Sequence, residues 1–235
     1  MAILAGSQSL DGDTPKPEKK PRRFPAMIGE GPESLKEKID YPQSALKAGT
    51  NALVTFSCDV EQNGKASRVA IVRATPDSED FIRVARDALK ECRFQPATVD
   101  GKPVKVWVTG AIIFRIRDGK PLIHLYLHSD DETLKTGGNY ITAQLIGGWS
   151  SFGNRIRYPY PALKNGTEGE VAVRLDIDSE GNPIRIGVPE ATPPDQGFAA
   201  AVRRALSTAE FIPAYQDGRP VPSSLLFPIL FQLRN

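Results

Sequence analysis

The chain has 235 residues, of which 40% are hydrophobic and 25% charged, with a net charge of +2. That balance fits an ordinary globular protein and does not by itself point to nucleic acid. No apolar run reaches the roughly 18–20 residues that a membrane-spanning helix needs.

Residues 1–25, rich in Pro, Lys, Ser and Asp, read as disordered. Within them Lys16, Lys19, Lys20, Arg22 and Arg23 alternate with Pro15, Pro17 and Pro21, the composition of a stiff, solvated linker. The opening Met1–Ser7 reads either as the end of a signal sequence or as a disordered terminus. A short helix is expected from Ser34 to Ile39, with Ser34 and Glu37 forming a capping box. Tyr41-Pro42 forces an extended step, and a further helical turn stops at Gly49. Val54, Phe56, Cys58 and Val60 then alternate with Thr55, Ser57, Asp59 and Glu61, which predicts a half-buried strand. Asn63-Gly64 predicts a type I′ hairpin turn into a return strand over residues 66–74. Thr75-Pro76-Asp77 ends it and caps a helix whose inner face carries Phe81, Ala85, Ala88 and Cys92. A last strand is expected over 104–116, and Leu122 to Leu127 folds back on it as a fourth strand after the turn at Arg117–Lys120. Residues 129–136 read as polar linker, with a break at Gly137-Gly138.

From there the chain repeats itself at an offset of 117 positions, taking Tyr41 to Tyr158. Tyr41-Pro42…Ala45-Leu46-Lys47…Gly49 becomes Tyr158-Pro159…Ala162-Leu163-Lys164…Gly166. Gly64 becomes Gly181 and Phe81 becomes Phe198. Phe94-Gln95-Pro96-Ala97 becomes Phe211-Ile212-Pro213-Ala214, and Phe114 becomes Phe231. The fold class is therefore α+β: two units, each a three-stranded antiparallel sheet with helices on one face and a fourth strand extending the first. Their expected bounds are 26–117 and 143–235, joined by 118–142, and the second unit ends in a strand from Val221 to Leu233.

This pattern resembles the TonB C-terminal domain, present twice. It runs Tyr-Pro…Ala…Gly, strand, turn glycine, strand, a helix ending in Phe-x-Pro-Ala, then Gly-x-Pro-Val and a strand ending in Phe. Departures from the family are Phe81-Ile82 and Phe198-Ala199, where members carry Leu-Asp, and Cys92 and Ala209, where members carry an aromatic. The resemblance implies a bacterial envelope protein. It would be periplasmic, or anchored in the inner membrane facing the periplasm if an anchor precedes residue 1.

Few side chains suggest chemistry. His124 and His128, four apart on a strand, would be about 13 Å apart, too far to share a metal. Asp77, Glu79 and Asp80 suit a helix start. Gly29-Glu30-Gly31 lacks phosphate-loop context, and the glycosylation-like Asn165-Gly166-Thr167 reads as accidental. No nucleophile–base pair is evident, so no enzymatic activity, cofactor or metal is expected. Cys58 and Cys92 both point into the first core, either as buried thiols or as a disulfide worth about 2–4 kcal/mol.

What remains is backbone. An open sheet edge can capture an extended peptide, and the resemblance implies the last strand as that edge and an outer-membrane TonB-dependent transporter as the partner. In the second unit the candidate residues are Val221 and, between Pro222 and Pro228, Ser223, Ser224, Leu225, Leu226 and Phe227; the missing N–H groups of the two prolines should both face outward. The alternatives are that the prolines simply protect this edge, or that the edges serve assembly, including a homodimer.

Overall fold

The computed structural model describes residues 20–128 and 139–233. The expectations for residues 1–19, for the linker at 129–136 and for the break at Gly137-Gly138 lie outside the described residues.

The first unit opens with β1 (Arg23–Phe24) and β2 (Met27–Ile28), followed by α1 (Leu35–Lys38) and α2 (Gln43–Ala48). Then come β3 (Ala52–Val60), β4 (Ala66–Thr75) and α3 (Glu79–Glu91), the short strands β5 (Phe94–Gln95), β6 (Ala97–Val99) and β7 (Lys102–Val104), and the long pair β8 (Val106–Arg117) and β9 (Lys120–Tyr126). The second unit repeats the order with β10 (Tyr140–Ile141), β11 (Gln144–Ile146), α4 (Gly148–Arg155), α5 (Tyr160–Lys164), β12 (Gly169–Ile177), β13 (Pro183–Thr192) and α6 (Phe198–Leu206). It closes with β14 (Phe211–Ile212), β15 (Ala214–Gln216), β16 (Arg219–Val221) and β17 (Ser223–Phe231).

The repeated residues do the same work twice. The Tyr41 ring meets Phe81 and Phe114 edge-on at 5.9 and 5.6 Å, and its hydroxyl donates to the Thr50 carbonyl. Tyr158 meets Phe198 and Phe231 at 5.9 and 5.6 Å and donates to the Thr167 carbonyl. Each ring pair adds about 0.5–1.5 kcal/mol beyond burial, so these triads pin the Tyr-Pro segment across helix and last strand. Phe81, Ala85, Ala88 and Leu89 are buried at helical spacing, which seats α3 against β4 and β3, with the Phe81 ring reaching Phe114 of β8.

Several expectations need correction. Asn63-Gly64 does not form a two-residue turn. Glu61 N–H bonds the Lys65 carbonyl and Gly64 N–H bonds the Glu61 carbonyl, leaving a three-residue loop with only the glycine at positive φ. Gly64 is still required, because a Cβ there would lie 2.1 Å from the Phe94 carbonyl oxygen. The two-residue turns with both residues at positive φ are Asp100-Gly101, Asp118-Gly119 and Asp217-Gly218. The α3 cap position is Ser78 rather than Asp77, with no side-chain cap bond. Ser34 accepts from Glu37 N–H, the forward half of the expected box.

Arg23-Phe24, in the stretch read as linker, is a strand paired with Val99 and Thr98. Its equivalent, Tyr140-Ile141, pairs with Gln216 and Tyr215. A two-residue strand gains its pairing from a distant partner, and composition carries no trace of it.

The first sheet runs β4-β3-β8, with β9 along one half of β8 and β11 along the other; β14 lies beyond β11. Strands of the second unit thus extend the sheet of the first. Ile212 and Tyr215 enter the first core, and Trp107 packs against the second. The second unit's own sheet is β13-β12-β17.

Candidate functional site

β17 alternates cleanly. Leu225, Ile229 and Phe231 are buried, whereas Leu226 is 76% and Leu230 61% exposed. One side of the strand pairs with β12 over its whole length, from Ser223 opposite Ile177 to Phe231 opposite Gly169. Among the described residues no strand occupies the other side.

The direction of each peptide group follows from one bond. Leu233 N–H donates to Glu168 Oε1 at 2.9 Å, on the β12 side. Main-chain groups alternate sides along a strand, and the pairing with β12 has no register shift. The carbonyls of Pro222, Ser224, Leu226, Pro228 and Leu230 therefore face outward, as do the N–H groups of Ser224, Leu226 and Leu230. Pro222 and Pro228 contribute no donor, so the usable ladder is short and centred on Ser224 and Leu226. Ser223, Leu225 and Phe227 belong to the same segment but turn their main-chain groups to β12.

Val221 does not belong to this edge. It lies in β16, opposite Ala214, and the chain changes partner before Ser223. Proline is not the cause, since Lys105 stands at the equivalent break between β7 and β8.

In the first unit the matching edge is filled. β9 covers β8 from Ala111 to Arg117, and β11 covers Val106 and Trp107. Asp59 fixes this second cover. Its fully buried carboxylate accepts from Trp149 N–H at 2.7 Å and Ser150 Oγ at 3.1 Å, capping α4, and pairs with Lys105 Nζ at 3.2 Å. The helix begins on glycine because a Cβ at Gly148 would come within 2.9 Å of the Asp59 carboxylate. Gln144 adds a second tie, accepting from Ala26 N–H and donating to its carbonyl at 2.8 and 2.9 Å.

Where the units meet, Trp107, Trp149 and Phe227 cluster with ring centroids 5.1–6.2 Å apart. They border a cleft of about 300 Å³ between Leu226–Pro228 and the outer face of the first sheet. A larger groove of about 830 Å³, lined by Phe24, Met27, Leu125, Tyr140 and Tyr215 among others, has no charged side chain among its described lining residues.

The remaining candidates are accounted for by packing. Cys58 and Cys92 are free and buried, so the disulfide is not formed. Burial, with the neighbouring Cys92 and Asp59, pushes the Cys58 thiol far above its ordinary range, and burial pushes Cys92 up to about 12. Neither supplies a thiolate near neutral pH. His128 is buried between the rings of Tyr126 and Tyr140, and His124 stacks over Tyr126. Asp80 is held below its ordinary range by Ser44 Oγ and then Arg83, and Glu79 pairs with Arg86. No group of three or more potential metal ligands occurs among the described residues.

Comparison with known proteins matches the sequence to a family. A family profile described as Gram-negative bacterial TonB protein C-terminal fits residues 37–116 and again 154–233. Protein TonB of Yersinia enterocolitica is 32% identical over 87 residues, covering 37% of this chain and 31% of that protein. The chain thus spans under a third of that relative's length. No helix among the described residues is long and apolar enough to cross a membrane. With both halves matched, the chain belongs to the TonB C-terminal family and carries its domain twice.

Proposed function

We propose that this chain is a non-enzymatic binding module of the bacterial envelope, acting in the periplasm. It takes up an extended segment of a partner, such as an outer-membrane TonB-dependent transporter, by strand addition to β17. The observation that carries this reading is the contrast between two equivalent edges. β8 is covered by the chain's own strands from Ala111 to Arg117 and at Val106 and Trp107, while β17 presents Ser224 and Leu226 with no strand opposite among the described residues. Unsatisfied main-chain donors and acceptors on a rigid sheet supply affinity for any chain that extends alongside. Coupling to an energy source would need a membrane anchor joined to this module.

The test is a titration with transporter-derived peptides against the wild-type chain and Leu226→Pro. The substitution removes an outward N–H without touching the β12 ladder. Binding that is weakened at least tenfold by Leu226→Pro supports the reading, and binding that is indifferent to it does not. A second reading, an assembly module, draws on the open edges of β13 and β17 and on the exposed Leu226 and Leu230. A stable dimer in sedimentation that ignores such peptides would favour it.

A further inference from the structure

Arg68 and Arg185 occupy equivalent positions in the two units, as do Asp59 and Asp176. In the second unit the pair is intact: Arg185 lies opposite Asp176, with Nη1 3.6 Å from Oδ2. In the first unit Asp59 is taken by the α4 N-terminus and Lys105. The strand pairing shifts between Ser57 and Asp59, so that Ser67 rather than Arg68 stands opposite Asp59. Arg68 sits at a φ of +49°, an uncommon conformation for a non-glycine residue within a strand. It has no ion pair among the described residues, and it lines the cleft beside Leu226–Pro228. With Asp59 engaged by α4 and Lys105, Arg68 is a cation without an ion pair among the described residues, beside Leu226–Pro228.

The rest of the cleft is apolar or hydroxyl-bearing. Trp107, Trp149 and Phe227 form an aromatic wall, and Thr55, Ala70 and Val72 belong to the outer face of the first sheet. Leu226, Phe227 and Pro228 of the open-edged strand border this cleft together with the rings and Arg68.

We propose that the inter-unit cleft is the specificity element of the β17 edge, selecting extended segments that set an Asp or Glu side chain against Arg68 and an apolar side chain against the Trp107–Trp149–Phe227 wall. The assignment rests on the strand-addition reading and adds to it a chemical class of partner: an acidic, apolar, extended peptide. The guanidinium geometry suits a carboxylate, whose two oxygens match its paired N–H groups. The preference is expected to weaken with salt, because Arg68 is exposed.

The probes are acetylated, amidated nonapeptides of alternating Thr and Val, with a single Glu, Gln or Lys placed at each position in turn. They are titrated against the full chain, following the fluorescence of its two tryptophans, both at this cleft. At its best position Glu should bind about 2- to 5-fold tighter than Gln, and Lys weaker than either, as expected for one exposed charge pair. Arg68→Gln should erase the Glu preference while leaving the Gln peptide unchanged. Arg185→Gln should preserve it. Equal binding of Glu and Gln by the wild type, or a Glu preference that survives Arg68→Gln, overturns the cleft assignment. If Leu226→Pro still abolishes that binding, the edge reading stands without it. Binding of none of the peptides removes both.

Discussion

The carboxylate of Asp59, in the first unit, accepts the main-chain N–H of Trp149, in the second, at 2.7 Å. One side chain thereby caps a helix across the unit boundary, neutralises Lys105 and holds β11 against β8. Asp59→Ala should lower stability by about 1–3 kcal/mol, since it leaves the α4 donors without their acceptor and Lys105 with Glu61 alone. Chemical denaturation reads this loss. It should come with separation of a single transition into two, because the tie between units is what the substitution removes.

Gln144 makes both main-chain bonds of Ala26 with one side chain, in a buried setting. Gln144→Ala should cost about 1–3 kcal/mol, the penalty of leaving a buried donor and acceptor unmade. Hydrogen exchange at the Ala26 amide should accelerate sharply while the Val173 amide, deep in the second sheet, stays protected.

The hairpin glycines should be intolerant of any side chain. Gly64 and Gly181 have φ of +81° and +88°, and a Cβ at either would sit 2.1 Å from the carbonyl oxygen of Phe94 or Phe211. Gly64→Ala and Gly181→Ala should each destabilise by about 2–4 kcal/mol. By contrast Gly119→Ala, at positive φ but with open space around it, should cost only about 1 kcal/mol. Thermal melts of the three variants test the ordering.

Acid should loosen both hairpins. Hydrogen bonds from Lys105 and then Ser67 hold Glu61 below its ordinary value of 4.5. Asp178 is raised by burial, but main-chain and side-chain bonds from Asn182, with those from Glu180 and Gly181, outweigh this and hold it below 3.8. A depressed folded-state pKa stabilises the protein above the unfolded value, and that contribution is lost as pH falls through the folded value. Lys105 has the opposite sign. Desolvation lowers it, but Glu61 and Asp59 outweigh this and leave it above 10.5, so its contribution is lost only as pH rises past that point. Stability should be flat across the neutral range and decline below about pH 4.5. Glu61→Gln should make the acid limb shallower in pH-dependent melts.

The two thiols offer a further check. Both are buried and strongly disfavour the thiolate. Iodoacetamide at pH 8 should leave Cys58 and Cys92 unmodified in the folded protein and label both in denaturant, as mass spectrometry would show.

Much of the fold was legible because its determinants are local or repeated. Tyr41, Gly64, Phe81 and Phe114 recur at 158, 181, 198 and 231, and in both copies the same contacts result. The β8–β9 hairpin could be read from Asp118-Gly119 between two apolar runs. The joining of the units was not legible. β11 is three residues long and pairs with Trp107 and Val106 far back in the chain, a contact with no periodicity to announce it. Strand alternation placed Asp59 on the polar face, and nothing local distinguishes it from Thr55 or Ser57. One signal was present but weak: Ala26 and Ala143 are related by the same offset, and both are buried. It marks the repeat as beginning with β1 and β2 rather than after them. That Pro228 of β17 and Pro222 just before it share one side follows from their even spacing, whereas the cleft beside β17 depends on how the two sheets meet.

The central claim is that β17 receives a strand on its open side. Hydrogen exchange read at single amides, with and without saturating peptide, addresses it most directly. The Ser224 and Leu226 amides should exchange fast in the free chain and become protected on binding, while Leu225 and Phe227, already bonded to β12, should change little. Protection appearing elsewhere, with Ser224 and Leu226 still exchanging fast in the complex, would contradict the account.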